Sequence, residues 1–472
     1  MAKVNKNFFF IVLVNVIFLL WGNLVLANNM FIVLILTWIN MMIYSYVKLE
    51  RRILLFAFGI TFFVFLLGRE FLEQYLNYDR DSYFSEEITF HMYLSVWLSL
   101  ISVWGAYSFF SSKGVIASHT ANRSSEFDVL KIRKYSKLVF YATYPFAIIC
   151  NLIIAFFVAR SGYYSLYTEF SGVLAQSPIL YVFSKIELIT PAAFCVFLAT
   201  LPSRNEFMTP CKAYLLYIVL TLGSGQRSGL LLGLLILFVF VVFMQGIAPK
   251  ERWFDKKYMR YAFLFIPLIA VTGSLFNIWR FEGDLNNLQF MKVFFGFFYE
   301  QGVSSYVIKR AYELEAKIPG GVLYCLEFLH SGLPARLLGI EVFNGNTIEH
   351  ALYGNSFTHA LGYTVLGNTY LRGAGTGSSY IAELYYDFGY LGVVIGSFIY
   401  GWIFSWITKG FRSNIFIRSL LFVIMSQLLW APRGAYTAFL SFLFAPSTIG
   451  MLLFIFGMPY LSSSFSRFSR LK

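Results

Sequence analysis

The sequence predicts an all-α protein that crosses a membrane about twelve times. Of its 472 residues, 58% are hydrophobic, 20% are aromatic and only 13% are charged, whereas an average soluble domain carries about 25% charged residues. Apolar runs of the length that a helix needs to span a bilayer, about 20 residues, recur from end to end. A transmembrane β-barrel would show alternating segments of about ten residues instead. We therefore expect a polytopic helical membrane protein.

Hydropathy places the predicted helices in two groups that are separated by one long connection. We expect nine helices within residues 1–278, a long loop over 279–388 and three helices within 389–472. The predicted spans are 8–26, 30–47, 53–68, 90–111, 138–159, 179–201, 211–223, 229–247, 260–278, 389–408, 414–430 and 437–459.

The basic residues predict the orientation of the chain. The formal net charge is +13, but in a membrane protein Lys and Arg collect in cytoplasmic loops, and most of them do so here if the N-terminus is inside. This placement makes both termini cytoplasmic and gives no reason to expect a nucleic-acid partner. The loop over 279–388 is then external, and a connection of that length is usually functional. Its stretch FMKVFFGFFYEQGVSSYVIKRAYELE mixes aromatic and basic residues at helical spacing, which predicts an interfacial helix.

Three arginines lie in Gly- or Pro-marked turns near the external ends of predicted helices: Arg227 in GSGQRSG, Arg372 in YLRGAGTGSS and Arg433 in WAPRGAY. An arginine near membrane depth is costly and usually marks a water-filled cavity or an anionic partner. Phosphate is the expected anion, because the planar guanidinium fork matches its oxygens in a bidentate manner. Arg280, in NIWRFEG, is a fourth candidate. Alternatively, each side chain extends to the interface or pairs with a structural carboxylate.

The stretch after Arg372 adds carboxylates to this external region. Its glycines allow backbone N–H groups to approach a ligand closely, and Ser378 or Ser379 is expected to cap the following helix. Glu383 and Asp387 fall on one helical face. Glu383 is a candidate general base, because burial raises a carboxyl pKa toward the working range; alternatively, it pairs with an arginine and orients it. We interpret Asp387 as a solvated helix-face residue.

The histidines and cysteines predict no metal site. The four cysteines are far apart and show neither a disulfide framework nor zinc-binding spacing, and no two histidines have the spacing of a helical zinc site. His359, in YGNSFTHALGY, is the histidine that we expect to contact substrate, and the alternative is a hydrogen-bonded structural histidine.

The stretches LGSGQRSGLLLGLLIL, GTGSSYIAELYYDFGYLGVVIGSFIYG and APRGAY, together with the long external loop, resemble the Wzy-type polymerases of bacterial O-antigen and capsular repeat units. The resemblance covers roughly Gly223 to Ala438. It implies a GT-C-like glycosyltransferase of the bacterial inner membrane that works at the periplasmic face. Such an enzyme moves a growing glycan from undecaprenyl diphosphate onto a new undecaprenyl diphosphate-linked repeat unit.

This resemblance also implies roles for particular residues and partners. Arginines in the settings of Arg227, Arg372 and Arg433 would bind the diphosphate leaving group, and no metal or cofactor is implied. Membrane lipid and a chain-length regulator protein are the further partners that it implies. Two alternatives remain open. An O-antigen ligase shares the topology and the donor, whereas a flippase or transporter would handle the same lipid without forming a bond, although the internal repeat common in transporters is not evident.

Overall fold

The computed structural model describes residues 6–25, 29–76, 78, 84–112, 126–253, 290–410 and 414–468, which form helices and loops and contain no β-strand. We number the helices of ten residues or more in chain order. They are α1 (Lys6–Val25), α2 (Met30–Tyr46), α3 (Leu49–Tyr75), α4 (Glu86–Ser112), α5 (Glu126–Ser161), α6 (Pro178–Ala199), α7 (Arg204–Leu220), α8 (Ser228–Ile247), α9 (Phe290–Gln301), α10 (Val303–Glu313), α11 (Phe357–Leu366), α12 (Tyr380–Gly410), α13 (Ile415–Trp430) and α14 (Pro446–Phe468).

Eight of the described helices, α3 to α8, α12 and α13, are long and apolar enough to cross a membrane. Shorter apolar segments are α2 and the Pro446–Pro459 part of α14. The predicted all-α, polytopic membrane class is therefore confirmed. Ten of the predicted spans fall on a single described helix each. The predicted span over 437–459 is instead divided between the short helix Ala438–Leu443 and α14, and the ninth, over 260–278, lies outside the described residues. The total of about twelve spans and the cytoplasmic placement of the termini remain predictions.

The most extensive helix packing joins α4 to α12, and small residues permit it. A Cβ added at Gly401 of α12 would lie only 2.2 Å from the carbonyl oxygen of Val103 in α4. Deeper in the interface, the Ser397 hydroxyl donates a 2.9 Å hydrogen bond to Ser99 Oγ. Membrane helices commonly associate through small residues and hydrogen bonds of this kind, because lipid removes the hydrophobic drive between them.

The stretch that was predicted to be one interfacial helix forms α9 and α10, which break at Gly302 and pack on α3. A Cβ at Gly302 would lie 2.4 Å from the Cβ of Arg69 in α3, so only glycine allows this approach. On α10, the Lys309 ammonium binds both carboxylate oxygens of Glu70, at 2.7 and 2.9 Å. Both side chains are buried. This ion pair explains why Lys309 points into the protein, whereas the neighbouring Arg310 is partly exposed and pairs with Glu313.

Helix α12 begins earlier than the predicted span at 389, because the Gly/Ser-rich stretch ends at Ser379 and the helix starts at Tyr380. Gly389 breaks this helix with a φ of +62° and a ψ of −156°. Such backbone angles are accessible essentially to glycine alone. The final residues of the predicted loop over 279–388 are thus the first turns of α12.

Candidate functional site

Arg227 and Arg433 converge on the last two residues of α9. Arg433 follows α13, and its Nη1 donates to the carbonyl oxygen of Gln301 at 2.9 Å and to Gln301 Oε1 at 3.1 Å. A longer contact of 3.4 Å reaches the carbonyl oxygen of Glu300. Arg227, which directly precedes α8, donates from Nη2 to Glu300 Oε2 at 2.8 Å. Two of the arginines that were predicted to bind diphosphate therefore meet at one place.

Local sequence positions both guanidinium groups. Gly225 adopts a left-handed conformation with a φ of +81°, which ends the short 3₁₀ turn before it and brings Arg227 to the start of α8. At the other turn, the Ala431–Arg433 3₁₀ segment carries Pro432 in its first turn, where a missing N–H costs nothing. The two arginines are thus held by backbone geometry at helix ends rather than on mobile loop tips.

Arg227 is the more deeply buried partner of its ion pair with Glu300. Its side chain is only 9% exposed. Nη1 of Arg227 is buried and has no hydrogen-bond partner among the described residues. A buried donor without a partner costs free energy, and an anion would satisfy it. The arrangement can therefore accept a negatively charged group.

A tyrosine segment between α5 and α6, residues 163–167, adjoins all three arginine turns, and the sequence analysis missed it. The Gln226 amide beside Arg227 donates to the Tyr167 hydroxyl at 3.1 Å. The hydroxyls of Tyr163 and Tyr167 lie 2.8 Å apart, and both are close enough to Arg433 for electrostatic interaction. A Cβ at Gly373, next to Arg372, would lie 2.5 Å from the Tyr164 carbonyl oxygen.

Arg372 is the most exposed of the three arginines. Its side chain is exposed and has no hydrogen bond or ion pair with another described residue. The turn around it is nevertheless fixed, because the Asn346 side chain donates to the carbonyl oxygens of Tyr370 (2.8 Å) and Ala374 (2.9 Å). Gly373 has a φ of +97° at the tip of this turn. The guanidinium is thus free to bind a ligand from a rigid turn.

Glu383 is fully buried in the first turn of α12. Its Oε1 accepts a hydrogen bond from the Ser378 hydroxyl at 2.6 Å, and its Oε2 accepts one from the backbone N–H of Tyr436 at 2.8 Å. It forms no ion pair with Arg372, the arginine that was predicted to face the same cavity. The predicted capping by serine is not observed, because Ser378 donates to Glu383 and the Ser379 hydroxyl has no partner among the described residues.

Asp387 is not the solvated helix-face residue that the sequence suggested. One of its carboxylate oxygens accepts a hydrogen bond from the Tyr324 backbone N–H at 3.2 Å, and the other accepts one from the Cys325 N–H at 2.8 Å. These two hydrogen bonds hold Tyr324 and Cys325 of the long loop against α12. The sequence could not reveal this, because the two partners are backbone groups about 60 residues away.

Glu327, two residues beyond that loop pair, is a partly buried residue that the sequence analysis did not single out. Its Oε2 is buried and has no hydrogen-bond partner among the described residues. Burial raises the pKa of Glu327 to about 7, although a hydrogen bond with Ser356 opposes the shift. The group lies close enough to Glu383 for their charges to interact. Glu327 can therefore gain or lose a proton near neutral pH.

His359 contacts the Arg372 turn through Tyr370. Its Nδ1 lies 2.8 Å from the Tyr370 hydroxyl, and its ring stacks on that of His350 with 3.6 Å between centroids. Burial, and to a lesser extent the charge of His350, lowers the pKa of His359 to about 3. The imidazole is neutral at neutral pH and can hold Tyr370 in place. Arg280, the fourth candidate, lies outside the described residues.

Residues 6–462 match the family model for the O-antigen polysaccharide polymerase Wzy. The match covers nearly the whole chain. The chain belongs to the Wzy family. No curated protein and no solved structure matches it.

Membership of the Wzy family identifies a multi-pass bacterial membrane protein of the glycosyltransferase type that acts on lipid-linked oligosaccharide repeat units in O-antigen polymerisation. This confirms the family that the sequence motifs suggested. Among the described residues, no group of three or more His, Cys, Asp or Glu side chains is arranged to hold a metal ion. In this Wzy chain two arginine side chains, Arg227 and Arg433, contact the end of α9.

Proposed function

We propose that this Wzy chain moves a growing glycan from undecaprenyl diphosphate onto the sugar of a new undecaprenyl diphosphate-linked repeat unit. The observation that carries the proposal is the convergence of Arg227 and Arg433 on the end of α9, with a buried Arg227 Nη1 that lacks a partner. The reaction takes place at the periplasmic face of the inner membrane, where the positive-inside rule puts these turns.

In this reaction a hydroxyl oxygen of the acceptor sugar attacks the anomeric carbon of the donor glycan. A new carbon–oxygen bond forms, the bond from the anomeric carbon to the phosphate oxygen breaks, and undecaprenyl diphosphate leaves with the electron pair. Arg227 and Arg433 stabilise the negative charge that develops on the leaving group, and the exposed Arg372 reaches it from the facing turn. Arginine supplies this charge without a metal ion, since guanidinium stays protonated throughout.

The acceptor hydroxyl must also lose a proton. Both carboxylate oxygens of Glu383 already accept hydrogen bonds, from Ser378 and from the N–H of Tyr436, which supports a positioning role for Glu383. Glu327 has a buried oxygen without a partner and a pKa of about 7. A base with a pKa near the working pH is the most effective. We therefore assign proton acceptance to Glu327 and the orientation of the Arg433 turn to Glu383.

Two other assignments make different use of the same lipid. A ligase would deliver the glycan to lipid A core, and a flippase would move the lipid without breaking its sugar–phosphate bond. The description of the matching family model, O-antigen polysaccharide polymerase, supports our choice of polymerisation. A chain-length regulator protein is a partner that the proposal includes, since such proteins set how many repeat units a polymerase adds.

Arg227→Lys tests the proposal, because an ammonium cannot reproduce a bidentate fork. We expect polymer formation from purified lipid-linked repeat units to fall at least about tenfold, since charge-assisted hydrogen bonds contribute roughly 1.5–3 kcal/mol each. Arg336→Lys is the matched control, because Arg336 is exposed on the short helix Gly332–Leu338 of the loop over 279–388. Normal polymerisation by the Lys variant, at equal amounts of folded protein, would contradict specific diphosphate recognition at Arg227.

A further inference from the structure

We propose that His350 and His359 form a glycan subsite, in which the Nε2 atom of each ring accepts a hydrogen bond from a sugar hydroxyl of the lipid-linked repeat unit. The inference rests on the proposed function and deepens it, because it assigns the sugar portion of the substrate to a place beside the arginines that bind the diphosphate. No covalent bond is made or broken at this subsite. Its role is to hold the glycan in position.

The hydrogen bonds of the two histidines identify the ring nitrogen that carries the proton. His350 Nδ1 lies 2.8 Å from the carbonyl oxygen of Gly345, which can only accept, so Nδ1 is protonated. His359 Nδ1 lies 2.8 Å from the Tyr370 hydroxyl. Tyr370 donates its single proton to the carbonyl oxygen of Thr347 at 3.3 Å, so it accepts from His359. In each neutral ring, the remaining acceptor is therefore Nε2.

The fold uses neither Nε2 atom. Each lacks a hydrogen-bond partner among the described residues, and each keeps some solvent-accessible surface. Gly354 leaves space beside His350, since a Cβ at that position would lie 2.2 Å from its Cδ2 and 3.1 Å from its Nε2. One nitrogen of each ring thus holds the loop together, while the other remains open to a ligand.

Burial keeps both rings neutral. It lowers the pKa of His350, although the hydrogen bond to Gly345 opposes the shift. Burial, and to a lesser extent the charge of His350, lowers the pKa of His359 to about 3. A neutral Nε2 accepts a proton from a hydroxyl group in a hydrogen bond but carries no positive charge that would attract a phosphate. The pair is therefore suited to sugar, whereas the arginines are suited to diphosphate.

The stacking of the two rings suits a sugar better than a metal ion. Their centroids are 3.6 Å apart and their planes differ by 23°. Lone pairs in two such nearly parallel planes do not converge on one point at about 2.0–2.1 Å from both nitrogens, as a zinc ion requires. They do present two acceptors a short distance apart, and a sugar ring offers hydroxyl donors on neighbouring carbon atoms.

The subsite adjoins the candidate diphosphate site on two sides. Tyr370, which binds His359, lies two residues before Arg372 in the same turn. Gly345, which binds the other histidine, packs against the tyrosine segment over 163–167. A Cβ added at Gly345 would lie 3.2 Å from the carbonyl oxygen of Tyr167. A repeat unit whose diphosphate lies at the arginines therefore carries its sugars past the histidines.

The experiment compares two substitutions at one position, because asparagine and glutamine each reproduce one half of histidine. The asparagine amide nitrogen takes the place of Nδ1, whereas the glutamine amide takes the place of Nε2 and can turn its oxygen toward a donor. The purified full chain in detergent is titrated with the repeat-unit lipid extracted from cells that lack this chain. It is titrated separately with undecaprenyl diphosphate, which carries no sugar.

In His359→Asn we expect the Kd for the repeat-unit lipid to rise about two- to tenfold, the usual effect of one lost hydrogen bond. The Kd for undecaprenyl diphosphate should stay the same, because the bond to Tyr370 is retained. In His359→Gln both constants should stay close to the parental values. His330→Asn is the matched control, since His330 is a partly exposed histidine of the same long loop, and it should change neither constant.

The opposite order, with weaker binding of the repeat-unit lipid by His359→Gln and parental binding by His359→Asn, would overturn the subsite, because only the bond to Tyr370 would then matter. Weaker binding of both lipids by His359→Asn would also overturn it, since that result indicates a displaced Arg372 turn. If a variant at position 359 does not fold, the same two substitutions at His350 provide the comparison.

These binding measurements do not depend on turnover, so they separate the subsite from the proposed function. Parental Kd values in both His350→Asn and His359→Asn, in a chain that polymerises repeat units, would refute the subsite and leave the proposed function in place. Sugar-dependent binding that both variants lose, in a chain that forms no polymer, would support the subsite and refute polymerisation.

Discussion

The Glu383 carboxylate accepts a 2.8 Å hydrogen bond from the backbone N–H of Tyr436, three residues after Arg433. The bond joins the first turn of α12 to the segment that carries one arginine of the site. A carboxylate that binds a backbone N–H fixes the path of the chain, and Arg433 depends on that path to reach the end of α9. We therefore propose that Glu383 acts on the diphosphate through Arg433 rather than by direct contact.

Glu383→Gln is expected to lower both donor binding and turnover by about tenfold, because a hydrogen bond to a charged group contributes roughly 1.5–3 kcal/mol. Binding is measured with undecaprenyl diphosphate and turnover with lipid-linked repeat units. Glu341→Gln, at an exposed position of the long loop, is the control. Loss of turnover with unchanged binding would instead make Glu383 the base, and full polymer output would leave it with a packing role alone.

The buried pair of Lys309 and Glu70 should dominate the attachment of α10 to α3. Lys309→Met leaves Glu70 buried without its cation, which is expected to lower the free energy of unfolding by about 3–5 kcal/mol. Lys317→Met, at an exposed position beyond α10, should change it little. Unfolding of the purified protein in detergent measures both. The double variant Glu70→Leu and Lys309→Met should recover most of the loss, and a double variant as unstable as the single one would contradict this interpretation.

The helices could be predicted from the sequence because the constraint that forms them is simple. In lipid, every backbone polar group must be satisfied within the segment, so apolar length alone indicates a helix. The turns of Arg227, Arg372 and Arg433 were also evident, since arginine beside glycine or proline at a helix end is unusual in so apolar a chain. What the sequence did not contain was their mutual arrangement, which depends on contacts between distant segments.

The residues that the sequence analysis missed show why the candidate site could not be predicted completely. Glu300 lies in an aromatic-rich stretch that predicted only an interfacial helix. Its ion-pair partner, Arg227, is 73 positions away in the sequence. Tyr163 and Tyr167 look like ordinary interfacial aromatics until the fold brings them beside Arg433. Asp387 and Glu383 have the same helical spacing from sequence, yet their partners are backbone N–H groups of distant loops. No pattern of residue types encodes a backbone partner.

The positive-inside rule predicts an external site, and this prediction can be tested at two exposed positions. Glu341 lies in the long loop and Lys250 lies just after α8, and both are exposed. In intact cells with a permeable outer membrane, a membrane-impermeant thiol reagent should label Glu341→Cys and not Lys250→Cys. The parent protein is the blank, since three of its four cysteines are buried and Cys211 is partly buried. The reverse labelling pattern would put the arginines on the cytoplasmic side and exclude a periplasmic reaction.

Glu327 should impose a pH dependence on turnover. A general base acts when deprotonated, and burial raises the pKa of this carboxyl from 4.5 to about 7. We therefore expect kcat/KM, which reports the pKa of the free enzyme, to rise with pH through about 7 and to level off above it. Glu327→Gln should lower kcat about 10²- to 10⁴-fold, the usual contribution of a positioned base, while undecaprenyl diphosphate still binds.

Folding stability separates this role from a structural one. Because the pKa of Glu327 is higher in the folded protein than in the unfolded chain, the stabilisation from its bound proton is fully present below about pH 4.5 and is lost as the pH rises through about 7. At pH 8 the folded protein must hold a buried carboxylate there, and Glu327→Gln removes that charge. The Gln variant should therefore be at least as stable as the parent at pH 8, as measured by thermal unfolding. A variant that is stable, binds the lipid and polymerises at the parental rate would show that another group takes the acceptor proton.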